Sequence, residues 1–104
     1  MANAKRTAPA VVEPVTHEGL TYSAPHFVPG ESQNGGFIEA RTPDGALLWR
    51  IRLFTTDYDD GEEADTQDRF ISELMIDHGI LVATDESGRV FHVDPRTRDV
   101  QQVN

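Results

Sequence analysis

An all-β fold is what this sequence predicts: a single small antiparallel meander of about six to seven short strands, curled into a sandwich or open barrel. Three observations carry that expectation. Apolar and polar residues alternate from Ala46 to Phe54, the period of a strand with one buried face. Turn chemistry recurs at Thr42-Pro43-Asp44-Gly45, Asp77-His78-Gly79, Asp85-Glu86-Ser87-Gly88 and Asp94 to Arg98. Between those turns lie β-rich runs, Ile80 to Thr84 and Arg89 to Asp94.

Residues 1–16 hold Ala, Pro and Val without a sustained period and read as a flexible N-terminal arm, with 17–104 as the single β domain. Val11, Val12 and Val15 are placed to dock on a sheet edge. Gly19 to Ala24 forms a short strand with Leu20 and Tyr22 on one face. Pro25 and Pro29 cannot donate to a ladder, so the segment between them belongs at an edge or outside the sheet. Gly30 to Gly35 has loop composition.

Gly36 to Arg41 and Ala46 to Phe54 are the arms of a hairpin around a type I turn closed by a bulge. Its second arm directs Leu47, Trp49, Ile51 and Leu53 inward, with Trp49 as core anchor, and leaves Arg50 and Arg52 on the other face. Residues 55–68 carry Asp57, Asp59, Asp60, Glu62, Glu63, Asp65 and Asp68 and no base, the composition of a solvated loop. Arg69 to Asp77 fits two periods, since Phe70 and Leu74 stand at helical spacing while Phe70, Leu74 and Ile76 share a strand face. The tight turn at His78 and Gly79 favours the strand. Ile80 to Thr84, Arg89 to Asp94 and a short closing strand at Asp99 to Val103 complete the meander.

Two stretches resemble the blade repeat of PQQ-like β-propellers. Gly88-Arg89-Val90-Phe91-His92-Val93-Asp94-Pro95-Arg96-Thr97 is similar to the first half of that repeat, and Gly45-Ala46-Leu47-Leu48-Trp49 to the second. A shift of 53 residues lays Gly35 to Trp49 over Gly88 to Gln102. Arg41, Arg98 and Gln102 depart from the motif, standing where its Asp, Gly and Trp are expected. The resemblance implies a local meander with blade-like turns and no more. A propeller takes at least about four blades, and this length supplies at most two, so no quinone site is carried over.

A net charge of −9 with nine basic residues argues against a duplex-binding surface. The absence of Cys removes disulfides and thiol chemistry and suits a cytoplasmic protein. No stretch has the length of a membrane span. Aligning Gly61 with the invariant glycine of a calcium loop puts Thr56 and Tyr58 at ligand positions, so that pattern fails. His17, His26, His78 and His92 lack the close spacing of a zinc pair. Neither a nucleophile elbow nor a phosphate-binding glycine loop occurs. The expectation is a small acidic, non-enzymatic protein-interaction domain, with no metal or cofactor, acting as a homo-oligomer or with a protein partner. The alternative is an inhibitor or immunity-type protein of phage or mobile-element origin whose acidic face covers a nucleic-acid-binding surface. Candidate partner-binding residues are Asp57, Asp59, Asp60, Glu62, Glu63, Arg50 and Arg52.

Overall fold

The computed structural model of the chain describes residues 11–31, 35–54 and 69–104. Among them are eight strands: β1 (Val15–His17), β2 (Leu20–Ser23), β3 (Phe37–Arg41), β4 (Leu47–Arg52), β5 (Ile71–Asp77), β6 (Ile80–Asp85), β7 (Val90–Val93) and β8 (Val100–Gln102). All pairing is antiparallel, and the strands form two four-stranded meanders in chain order, β1-β2-β3-β4 and β5-β6-β7-β8. The all-β expectation holds, with eight strands rather than six or seven. The meander is interrupted once, between β4 and β5, so two sheets face one another across a shared core.

Part of the expected N-terminal arm is structured. Val15–His17 pairs with β2, and Val12 is buried against both sheets, because its side chain joins a core that includes Tyr22, Ile38, Leu74 and Leu81. Residues 1–10 of the expected arm lie outside the described residues.

Each sheet begins with a two-residue hairpin in which both turn residues have positive φ: Glu18 at 51° and Gly19 at 82°, His78 at 52° and Gly79 at 80°. That backbone twists with the right-handed twist of the strands it joins. The β3–β4 turn closes through Gly45 N–H donating to Thr42 O at 2.9 Å, with Gly45 at φ 91°. A register shift follows between Ala40 and Arg41. It corrects the predicted inward row: Trp49, Ile51 and Leu53 pack on the core, but Leu47 is 41% exposed, because the slip takes it out of their alternation. A second shift, between Ile71 and Glu73, lets Ile71 and Leu74 share the buried face despite their odd spacing.

Opposed residues share a face, so the registers define which side of each sheet is covered. Val15, Tyr22, Ala40 and Trp49 form one inward row of the first sheet, with Leu20, Ile38 and Ile51 on the same side. Leu74, Ala83 and Phe91 form an inward row of the second, beside Ile76, Leu81 and Val93. Ile38, Ala40, Leu81, Ala83 and Val93 are wholly buried. Phe54 stacks on Phe91 at 5.6 Å across the two sheets.

The sheets are related head to tail. β1 and β5 approach within 8 Å, and both lead into turns that line a single cleft, so they run in the same direction. The pair flanking the first turn, His17 and Leu20, lies on the covered side of its sheet, whereas the equivalent pair, Asp77 and Ile80, lies on the uncovered side of the other. Two-residue hairpins of one hand orient that flanking pair identically. The first sheet therefore packs with the face whose counterpart the second sheet turns outward.

Candidate functional site

The outward face of the first sheet carries a hydrogen-bonded polar cluster. Ser23, Glu39 and Arg50 lie opposite one another, as do Thr21 and Arg41, and Phe37 and Arg52. The Glu39 side chain is only 8% exposed although it faces away from the shared core. Arg41 donates from Nε and Nη2 to its Oε1 at 3.3 and 3.1 Å, and Arg50 from Nε and Nη2 to its Oε2 at 2.8 Å each. Each carboxylate oxygen thus engages one guanidinium, which offsets the desolvation of the charge and fixes both arginines in orientation. Arg41 is held further by donating to Gly45 O at 2.9 Å.

Arg52 lies over the ring of Phe37, 4.4 Å from its centroid, and reaches Glu31 at 3.6 Å. Phe37 is 3% exposed although, among the described residues, no second sheet lies against its face, and Arg52 covers its ring. Beside this cluster, Leu47 and Leu48 on edge strand β4 are 41% and 50% exposed.

The outward face of the second sheet differs in character. Its central row is Met75, Val82, His92 and Gln101, flanked by Ile80, Thr84 and Val90, with Glu73 and Asp77 on β5. Met75 is 47% exposed, and Ile80, Val82 and Val90 are half-buried. A cleft of about 480 Å³ runs along the β8 side of this sheet, lined by Ile80, His92, Asp94, Asp99, Val100 and Gln101. The Asp94 carboxyl is held below the usual carboxylate range, first by hydrogen bonding from the Arg96 side chain and then by the Arg96 backbone N–H.

At the end where the turns converge, His17, Glu18, His78, Gly79 and Arg96 line a smaller cleft of about 210 Å³. His17 Nε2 lies 3.8 Å from Glu18, and His78 Nδ1 lies 2.7 Å from Asp77. Among the described residues no three His, Asp or Glu side chains gather as a metal-binding group.

Arg50 and Arg52 stand where the strand alternation predicts, on one face of β4, and the structure adds Arg41 and Glu39 to them. Arg41 was visible in the sequence only as a departure from a blade motif, and Glu39 as a lone acid in an apolar strand. A carboxylate two residues before one arginine on its own strand and opposite another across the hairpin is the signal that would have joined them. The acidic candidates Asp57, Asp59, Asp60, Glu62 and Glu63 lie outside the described residues. No protein-family model matches the chain, and no curated protein matches it.

Proposed function

We propose that this chain is a protein-interaction domain that acts by binding rather than by catalysis, with the outward face of the first sheet as its contact surface. The observation that carries this reading is the Glu39 clamp: two arginines held in fixed orientation by one buried carboxylate, on a sheet face outside the core. Arginine is enriched at interface hot spots, and an arginine already immobilised loses less side-chain entropy when a partner arrives. Exposed Leu47 and Leu48 beside the clamp supply apolar area at its margin.

The test is capture from native-host lysate by the tagged chain, combined with light scattering of the purified protein, for wild type and for Arg50→Glu. Loss of self-association or of the captured protein in the variant, at unchanged circular dichroism, supports the reading. A strict monomer that captures nothing removes it.

A further inference from the structure

From the head-to-tail relation of the two sheets, we infer that the partner of this domain is a second copy of the same chain, docked through unlike faces. This rests on the protein-binding reading above and names its occupant. The covered face of the first sheet carries the His17–Leu20 pair, and the second sheet turns its equivalent face, marked by Asp77 and Ile80, to the outside. Conversely, the face the second sheet gives to the core has its counterpart in the free Arg41 and Arg50 face of the first. Among the described residues, the packing inside one chain thus leaves uncovered one face of each kind that it used. A second copy can place its first sheet on the free second sheet of its neighbour, repeating the internal arrangement.

The chemistry of the two free faces agrees with that pairing. The first sheet presents Arg41 and Arg50 around Glu39, and the second presents half-exposed Met75, Ile80, Val82 and Val90 with Glu73 and Asp77. Like faces would set arginine against arginine or acid against acid, which disfavours an isologous dimer. Unlike faces bring opposite charge together and cover the apolar row. A contact of this heterologous kind does not terminate itself and ends only by ring closure. Convergence of the sheets at β1 and β5 gives the stack the curvature that closure needs. Since closed rings of four-stranded sheets hold about four to eight sheets, the assembly contains two to four copies.

The experiment uses two surface variants that each disable one face: Met75→Arg on the second sheet and Thr21→Arg on the first, chosen because both side chains point away from the core. Masses are measured by light scattering at roughly 100 µM, a hundredfold above a micromolar Kd. Wild type is expected at two to four times the monomer mass, and each variant alone at the monomer mass with an unchanged urea midpoint. An equimolar mixture of the variants is expected to recover a dimer and nothing larger, because one intact pair of unlike faces remains between them. A monomeric wild type, an assembly indifferent to both substitutions, or a mixture that stays monomeric overturns the inference. If wild type is a monomer yet captures another protein through Arg50, head-to-tail assembly falls and the binding reading stands. If it is a monomer that captures nothing, both fall.

Discussion

Asp85 at the end of β6 is a buried carboxylate engaged on both oxygens, and removing it tests the energetic reading of the second sheet directly. Its side chain is fully buried. Oδ1 accepts from Ser87 N at 3.0 Å, Ser87 Oγ at 2.9 Å and Arg89 N at 2.9 Å, and Oδ2 accepts from Arg89 Nε at 2.6 Å. The paired guanidinium lies 4.4 Å from the centroid of Phe54, whose ring stacks on Phe91 between the sheets. One carboxylate therefore closes a turn and holds a cation against the inter-sheet aromatics. Breaking a fully buried ion pair costs about 3–5 kcal/mol. Ser87 is exposed and Arg89 half-buried, so water recovers part of what Asp85→Asn loses, and about 2–3 kcal/mol is expected. With a urea m-value of about 1–3 kcal/mol/M, the midpoint should fall by about 0.7–3 M.

The same substitution has a pH signature. Burial pushes the Asp85 carboxyl upward, but hydrogen bonds from Ser87 and Arg89 and the Arg89 charge outweigh it and leave the folded value below the usual carboxylate range. Asp85 therefore stabilises the fold above its unfolded pKa of about 3.9, and that contribution disappears as pH falls through the lower folded value. Wild type and Asp85→Asn should differ most near neutral pH and converge in strong acid. A midpoint change below about 0.5 M, or a gap that persists undiminished to about pH 2, would refute the assignment.

Gly35→Ala should destabilise strongly, by about 3 kcal/mol or more in urea titration, because φ is 88° there and the new Cβ would meet the Arg69 carbonyl. Gly45 and Arg98 occupy equivalent places in the last hairpin of each sheet, both with positive φ, at 91° and 66°. Gly45→Ala should cost about 1 kcal/mol, purely conformational since nothing lies within 4 Å of the added carbon, whereas Arg98→Gly should raise the thermal midpoint slightly. Glu39→Gln should lower stability by about 1–2 kcal/mol by leaving Arg41 and Arg50 without their counter-charge, and added salt should narrow its gap from wild type.

The hairpins were legible where glycine or aspartate announces the turn, as at Gly45, Gly79 and Gly88, since only a few residues tolerate the backbone those turns require. The first hairpin was missed because its turn is Glu18-Gly19, and a glutamate at φ 51° is not a turn signal. With the turn unread, Val15 and Thr16 remained part of an arm. Residues 69–77 read both ways because the Phe70–Leu74 spacing of four suits a helix and a strand alike. The register shift after Ile71 adds a shared face for Ile71 and Leu74, a spacing of three that a regular strand does not give. Leu47 was misplaced for the same reason. Period-two reasoning fails wherever one strand carries an extra residue, and both sheets carry such a slip.

The head-to-tail relation was beyond any local pattern, because it depends on which face of an unmarked sheet meets the other. The 53-residue shift aligns Ile38 with Phe91 and Ala40 with Val93, all inward, which taken alone describes two sheets meeting through like faces. The first hairpins contradict that, since Leu20 and Ile80, 60 residues apart and each directly after its turn, point to opposite sides. The β2–β3 and β6–β7 registers reconcile them: Thr21 lies opposite Arg41, and its counterpart Leu81 opposite Val93, so the structural offset between β3 and β7 is 52 residues rather than 53, and Ile38 and Ala40 correspond to outward Val90 and His92. That difference of one residue lets two sheets with the same apolar sequence phase meet through unlike faces, and unlike faces are what the head-to-tail assembly rests on.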